Sequence, residues 1–289
     1  MSAMPREQSS REAWFISGPG PDERLGSLVD RAAILYRTTG EQLINELLQS
    51  GGGARIDIDS AGAKAVVRMA RAIQIAPQVL WRHRLPDHPS LLAPSARLAF
   101  CLECWKEDRD AGRELGLRRD WAGVLRTMCT RHGVPLRLAG PFVRGAEAML
   151  SRRNNHPAES DGQACLVAID QFARTLEGAL FFNRPWPSHW KLSPSRARAV
   201  LLAVCLNLES GERFPVVSRL VYPSALAGYV RVPPHTMSPM RGDPWQGFRA
   251  IADPSLRRAG LWLDAWRTCP EWRNEWRPGW VDREVPDSF

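Results

Sequence analysis

Two short cysteine motifs constrain this sequence more than any other feature. Two residues separate Cys101 from Cys104, 24 residues separate Cys104 from Cys129, and two residues separate Cys129 from His132. Two thiolates at that spacing can bind one ion from a tight turn, and the second pair completes the tetrahedral Cys₃His set that zinc accepts. Because four protein ligands close the coordination shell, we expect one structural zinc ion and no catalysis at the metal.

Other catalytic signatures are missing from the sequence. There is no His-Glu-x-x-His motif of a metalloprotease, and no His-x-Glu precedes the first cysteine pair as a zinc deaminase requires. The sequence also lacks a Walker loop and a nucleophile elbow. We therefore expect a protein that is not an enzyme, and a zinc hydrolase or deaminase is the least favoured alternative.

Length and composition are those of a globular protein with more than one core. At 289 residues, with 44% apolar and 24% charged residues, the chain favours two or three small domains. No window has the length of a membrane-spanning helix, and the first twenty residues lack a signal-peptide core, so we expect a cytoplasmic location. Thiols stay reduced there, and Cys165, Cys205 and Cys269 are expected as buried small hydrophobic residues without disulfides.

The net charge suggests a polyanionic partner. The formal net charge is +8, and residues 95–155 contain twelve basic and seven acidic residues. A basic surface attracts phosphate backbones through Coulomb steering and counterion release, so double-stranded DNA is the expected partner. Only three of the 39 basic residues are lysines, and genome composition is an alternative reason for that arginine bias.

Residues 60–83 have the pattern of two helices joined by a brief turn. Val66, Met69 and Ile73 lie on one face of the first helix, and Pro77 is suited to open the second. This pattern predicts a helix-turn-helix whose second helix enters the major groove, although an ordinary helical hairpin fits the pattern equally well. The residues expected near DNA are Gln78, Trp81, Arg82 and Arg84.

The segment between the two ligand pairs carries aromatic and basic residues. A metal module this small has little core, so Trp105 and Trp121 are interpreted as packing residues in preference to base-stacking residues. A helix is predicted over residues 109–118. The densest positive run near the site is interpreted as phosphate contacts or as a solvated face, and it comprises Arg118, Arg119, Arg126 and Arg131.

These patterns together predict a mainly α fold with an N-terminal helical domain containing the helix-turn-helix, a small Cys₃His zinc-finger module and a helical C-terminal domain. In the C-terminal part, apolar stripes predict helices around residues 166–176, 197–208 and 256–266, and residues 214–229 resemble a weak second helix-turn-helix. Five tryptophans between Trp262 and Trp280 are interpreted as closing a core, with a partner-binding surface as the alternative. The predicted boundaries are 1–17 for a flexible N-terminus, then 18–94, 95–140 and 141–289.

Three segments form a set more specific than the ligand spacing alone. Residues 19–33 join a proline and acidic turn to a helix start, residues 100–108 combine the first cysteine pair with Glu-Asp, and Trp121 precedes Cys-Thr-Arg-His-Gly-Val-Pro-Leu at 129–136. In order and spacing these segments resemble the TniQ family of bacterial transposon target selectors, which includes TnsD. Residues that fall on the N-terminal signature are Glu23, Leu25, Ser27, Leu28, Arg31 and Ala32.

The chain departs from this family pattern at two places. Leu102 stands where the family usually has proline, which alters the turn but not the ligands. Members often carry a further Cys-x-x-Cys shortly after the position of His132, and residues 138–144 contain none. A second zinc ion is therefore not expected.

The resemblance implies an adaptor without chemistry of its own. Such proteins engage target DNA or a target-bound complex and recruit an AAA+ ATPase that positions the transposase. Implied partners are double-stranded DNA, the AAA+ transposition ATPase, a CRISPR surveillance complex in some systems, and a second copy of the chain. The alternative is a zinc-stabilised protein-interaction hub that binds an RNA-guided complex and touches little DNA.

Overall fold

The computed structural model describes most of the chain in several stretches. The fold is mainly α, as predicted, and contacts divide it into two compact units, residues 1–87 with 112–119 and residues 88–111 with 120–289. The four predicted metal ligands lie in the second unit with the C-terminal helices, and we call residues 99–111 and 120–138 the ligand segment. The described residues are 16–48, 57–139, 160–210, 244–269 and 271–272.

The first unit is built on short amphipathic helices. In the first helix, Leu25, Leu28, Val29 and Ala32 recur at helical spacing, and all four are buried. The second helix buries Leu43 and Ile44, and the third buries Val66, Met69, Ala70 and Ile73 in the same cluster. The helices are α1 (Leu25–Leu35), α2 (Gly40–Leu48), α3 (Ala63–Ile73) and α4 (Pro77–Trp81), with a 3₁₀ turn at Ile58–Ser60.

The predicted pair of helices over residues 60–83 is confirmed as α3 and α4. Gln74 ends α3 in the left-handed conformation, with φ 60° and ψ 37°, and its N–H donates to the Arg71 carbonyl. Pro77 occupies the first turn of α4, where its missing N–H leaves no intrahelical bond unmade. Helix α4 has five residues, and Leu80 is its buried side chain.

A buried polar network explains why the N-terminal signature needs Glu, Ser and Arg at spacing of four. Ser27 and Arg31 lie on one side of α1, and Glu23 precedes the helix by two residues. Arg31 donates from Nε and Nη2 to the Glu23 carboxylate, at 2.8 Å each, and Ser27 donates from Oγ to the same carboxylate at 2.9 Å. Ser27 Oγ also accepts from the Leu117 backbone at 2.8 Å, and Arg31 pairs with Glu114. The signature residues thus fasten α1 to the segment 112–119.

A second buried ion pair holds the start of α1 against the 3₁₀ turn. Arg24 donates from Nη1 to Asp59 Oδ2 at 2.9 Å, and the Gly26 backbone donates to Asp59 Oδ1 at 2.6 Å. The side chains of Arg24 and Asp59 are 5% and 2% exposed. Removing one partner would therefore leave the other charge buried without this ion pair.

The helix predicted over residues 109–118 is wrong. The helix in this segment, α5, spans Leu102–Asp110 and ends at Ala111. Gly112 follows with φ 66°, a conformation that residues with a Cβ rarely adopt, and residues 113–117 are not helical. The backbone after Gly112 makes hydrogen bonds with residues far away in sequence. The Leu117 carbonyl accepts from the Arg24 N–H, and the Arg119 N–H donates to the Asp22 carbonyl.

The second unit combines a two-stranded antiparallel sheet with longer helices. Strands β1 (Ala99–Phe100) and β2 (Arg137–Leu138) pair antiparallel, with Ala99 opposite Leu138. The predicted stripe of Leu166, Ile169, Phe172, Ala173 and Leu176 is buried in the core of this unit. The C-terminal helices are α6 (Ser160–Phe181), α7 (Pro194–Ser210), α8 (Pro244–Arg249) and α9 (Pro254–Thr268), and 3₁₀ turns lie at Pro94–Ala96 and Arg119–Ala122.

Helix α9 is attached to the ligand segment by two buried arginines. Asp253 caps the helix by accepting from the Ser255 backbone at 2.8 Å. Arg257 donates to the carbonyls of Gly123 and Val124, at 3.0 and 2.8 Å, and Arg258 donates to those of Thr127 and Leu136, at 2.9 and 3.1 Å. Both arginines are buried, so their guanidinium groups donate hydrogen bonds inside the protein and not at its surface.

The remaining predictions for cysteines and tryptophans are partly covered by the described residues. Cys165 and Cys269 are buried, as predicted, and burial raises the pKa of each thiol to about 12. Trp262 and Trp272 are buried in the core. Several other predictions fall outside the described residues. They concern the side chains of Cys205 and Trp266, the residues Trp276 and Trp280, the N-terminal residues 1–15 and the segment 214–229.

Among the described helices, none combines the length and the apolar character needed to cross a membrane.

Candidate metal site and basic surface

The first ligand pair is positioned by the start of α5. Cys101 is the residue before the helix, with extended backbone, and its Sγ accepts from the Cys104 backbone at 3.5 Å. Cys104 lies in the first helical turn, so both sulfurs point to the same side of the helix start. This geometry follows from the two-residue spacing, which spans one helical turn.

The second ligand pair is positioned by a tight turn. The Cys129 N–H donates to the Val134 carbonyl at 2.8 Å, and the Gly133 N–H donates to the Cys129 carbonyl at 2.9 Å. Gly133 has φ 63°, which explains glycine directly after His132. The backbone therefore folds back on itself and turns Cys129 and His132 toward the same point.

The four predicted ligands form one cluster. Their ligand atoms all lie within 4.8 Å of one another, and three of the four residues are buried. The Cys104 and Cys129 sulfurs are 3.7 Å apart, and the Nδ1 atom of His132 lies 3.3 to 3.7 Å from the three sulfurs. In a tetrahedral zinc site with bonds of about 2.0 to 2.3 Å, neighbouring ligand atoms lie roughly 3.5 to 3.8 Å apart. The cluster therefore has the dimensions and donor set for one metal ion.

The local electrostatics favour an ionised thiol in this cluster. Hydrogen bonds from Cys101 and Cys104 lower the pKa of the Cys129 thiol far below its ordinary value, whereas the pKa values of the Cys101 and Cys104 thiols are raised. Burial lowers the pKa of His132, but its hydrogen bond to Glu107 and the neighbouring Cys129 outweigh burial and raise that pKa above its ordinary value. A thiolate is the form of cysteine that binds a metal.

Glu107 contacts the cluster, and ligand spacing alone does not identify it. It follows Cys104 by three residues on α5, so both side chains project from the same side of the helix. Its Oε1 atom lies 3.0 Å from Nε2 of His132, and its Oε2 atom lies 3.0 Å from Nη2 of Arg131. The signal in the sequence was the repeat Cys-x-x-Cys-x-x-Glu over residues 101–107.

The aromatic residues beside the cluster are packing residues, as predicted. Trp105 and Trp121 are 1% and 2% exposed, and the Trp105 ring stacks on Phe100 with ring centroids 3.9 Å apart. Buried this deeply, neither indole presents a face to a nucleic-acid base.

A second candidate site is a basic surface on α3 and α4, in a stretch of sequence that contains no acidic residue. Between Asp59 and Asp87 there is no acidic residue, whereas five lysines and arginines occur. Lys64, Arg68 and Arg71 are exposed and share one face of α3 by their spacing. Gln78, Val79, Trp81 and Arg82 are exposed on or beside α4, and the Arg84 guanidinium lies 4.1 Å from the centre of the Trp81 ring. We call these exposed residues of α3 and α4, with Arg84, the α3–α4 surface.

The other predicted DNA contacts lie near acidic residues or are buried. Arg118 is 7% exposed, and its backbone pairs with Glu23. Arg119 lies 3.9 Å from Asp22, Arg126 pairs with Glu177 at 2.8 Å, and Arg131 pairs with Glu107 at 3.0 Å. The structure thus places the predicted contacts in different surroundings, and Gln78, Arg82 and Arg84 are those on the α3–α4 surface.

The fold and the cluster define a class of protein, mainly helical and carrying a Cys₃His group that can hold a metal ion. Within that class, residues 15–136 match the model of the TniQ family. The match covers both the N-terminal signature and the metal-ligand segment. Comparison with curated proteins and with solved structures found no match.

Proposed function

We propose that the protein is a DNA-binding adaptor that selects the target site for DNA transposition. In this role it engages target DNA or a target-bound complex and recruits the AAA+ ATPase, which positions the transposase. The match to the TniQ family supports the link to transposition. One zinc ion, bound by Cys101, Cys104, Cys129 and His132, supports the fold of the ligand segment and takes no part in catalysis.

The observation that carries DNA contact is the α3–α4 surface. It presents Arg82 and Arg84 beside Gln78, and no acidic residue of the same stretch of sequence offsets these charges. In a helix-turn-helix the second helix lies in the major groove and the first crosses the phosphate backbone. Gln78 then has the donor and acceptor needed to contact a base edge, and the arginines contact phosphates or guanine.

The arginines near the metal cluster have a smaller part in this proposal. Arg119, Arg126 and Arg131 each lie within ion-pair distance of a carboxylate. A phosphate must compete with that carboxylate, so each of these residues contributes less than an arginine without an acidic neighbour.

The test compares arginine substitutions at different places on the protein. We expect duplex DNA affinity to fall with salt, and Arg82→Ala with Arg84→Ala to lower the slope of log K against log salt by about 0.9 for each phosphate that the variant no longer neutralises. The control variant is Arg109→Ala, since Arg109 is exposed and pairs with Asp110 at 3.2 Å outside this surface. Absence of duplex binding by the wild-type protein at low salt would exclude direct DNA contact.

A second candidate function is a protein-interaction hub that binds an RNA-guided complex. The observation that favours it is the exposure of Val79 and Trp81, at 41% and 47%, because tryptophan is enriched in protein-interface hot spots. Association with a partner complex that survives nuclease treatment and is abolished in Trp81→Ala would support the hub. Association that disappears on nuclease treatment would support the DNA-binding adaptor.

A further inference from the structure

Glu107 joins the metal cluster to a charged neighbour through a single carboxylate. One oxygen lies 3.0 Å from Nε2 of His132, and the other lies 3.0 Å from Nη2 of Arg131. The His132 ring therefore has Nδ1 among the three sulfurs and Nε2 against a carboxylate. For a histidine that binds a metal through one ring nitrogen, a carboxylate on the other nitrogen fixes the tautomer and the ring orientation.

We propose that Glu107 is the positioning residue of the metal site. It accepts the Nε2 proton of His132, keeps Nδ1 free to bind the metal, and holds the ring in the plane that completes the Cys₃His set. Arg131 orients the carboxylate by pairing with its other oxygen. This role rests on the proposed metal binding and is independent of DNA contact.

The placement of Glu107 is fixed by the helix that carries a ligand. Glu107 and Cys104 belong to α5, three residues apart, so the helix sets the distance between the carboxylate and the cluster. The turn that carries His132 is fixed separately, since Thr130 donates from Oγ1 to Asp120 at 2.7 Å. The contact between Glu107 and His132 therefore connects the two halves of the metal site directly.

The same helix offers a matched control. Glu103 is on α5 too, is 42% exposed and pairs with Lys106 at 2.9 Å. Like Glu107, Glu103 is a glutamate on α5 with a basic partner. The partner of Glu103 is an exposed lysine, whereas Glu107 also contacts the predicted ligand His132. A reduction of metal affinity through a general change in the helix would appear in both variants.

The experiment measures zinc affinity of the full chain by competition with a chromophoric chelator. We expect Glu107→Ala to weaken zinc binding by about 10 to 100-fold, which is the range for removal of a partner of a metal-binding histidine. Glu107→Gln keeps an oxygen that accepts from Nε2, so its effect should be smaller than that of Glu107→Ala. Glu103→Ala, the matched control, should stay within about threefold of wild type.

A spectroscopic readout separates positioning from removal of a ligand. The cobalt-substituted protein should keep the tetrahedral absorption of a Cys₃His site in Glu107→Ala, because the four ligands are unchanged. Unchanged zinc affinity in Glu107→Ala, or equal weakening in Glu107→Ala and Glu103→Ala, would overturn the proposal. Failure of the wild-type protein to bind zinc would instead overturn the metal site itself.

Discussion

Arg258 of α9 donates from Nη2 to the carbonyl oxygen of Thr127 at 2.9 Å, two residues before the predicted ligand Cys129. The same carbonyl accepts from the Leu136 backbone at 2.9 Å, and the Leu136 carbonyl in turn accepts from Arg258. The turn that carries Cys129 and His132 is thus enclosed by hydrogen bonds to a C-terminal helix. The ligand segment and that helix are expected to gain and lose stability together.

Metal removal tests this coupling. If the cluster holds zinc as proposed, chelation should increase amide hydrogen exchange both in residues 99–138 and in α9, because the carbonyls that Arg257 and Arg258 contact lie in the segment that the metal stabilises. Exchange in α1 is the internal reference. Increased exchange confined to residues 99–138 would show that the helix does not depend on the metal site.

Substitution of Arg258 tests the same hydrogen bonds without removing metal. Arg258→Ala leaves two buried carbonyls short of a charged donor, and we expect it to lower the free energy of unfolding by about 3 kcal/mol. Arg109→Ala, which removes an exposed arginine, should cost less than about 1 kcal/mol. Denaturant unfolding measures both, and equal costs would contradict the importance of the Arg258 hydrogen bonds.

Gly116 tests the buried network of the N-terminal signature. A Cβ at this position would lie 2.6 Å from the carboxyl group of Glu23, so Gly116→Ala must displace the carboxylate from Arg31. We expect a decrease of about 1 to 3 kcal/mol in unfolding free energy. At Gly18 a Cβ would meet no atom within 4 Å, and Gly18→Ala should change stability by less than about 0.5 kcal/mol.

Asp30 gives the first unit a pH dependence of its own. Burial raises the pKa of Asp30 to about 6, and Asp59 and Glu23 raise it further against the lowering effect of Arg24. The folded state therefore binds this proton more tightly than the unfolded chain does. The resulting contribution to stability is complete below about pH 4 and disappears as the pH rises through about 6.

Asp30→Asn should remove that dependence. Between pH 5 and pH 8 the wild-type protein should lose about 1.4 kcal/mol more unfolding free energy than Asp30→Asn, and the variant should be the more stable of the two at pH 8. Denaturant unfolding of both proteins at each pH cancels the effect of pH on the metal site. An identical pH dependence in both proteins would show that Asp30 does not couple protonation to stability.

The sequence predicted helices correctly where a periodic apolar stripe occurred together with a local signal for the start or end of a helix. Pro77 and the apolar stripe of α3 located the paired helices, and Cys-x-x-Cys with Cys-x-x-His located the metal cluster. The helix predicted over residues 109–118 was wrong because its backbone is recruited by residues far away in sequence. The Leu117 N–H donates to Ser27, a hydrogen bond that no local pattern contains.

The sequence did not predict which individual arginine side chains are exposed and which are buried. Arg118 and Arg131 belong to one basic run, yet the first is 7% exposed and the second has a side chain that is 56% exposed. The net charge of residues 1–94 does not reveal the positive charge of the α3–α4 surface, because acidic residues elsewhere in that segment offset this charge. Which charges stay exposed depends on tertiary pairing, and that pairing involves partners distant in the chain.

The inclusion of residues 112–119 in the first unit means that the polypeptide crosses from one unit to the other three times, at residues 87–88, 111–112 and 119–120. All three crossings lie within residues 15–136, the part that matches the TniQ family. A single cut or a single recombination junction at any crossing would leave one unit without part of its chain. Exchange of either unit between related proteins therefore requires matched junctions at all three crossings.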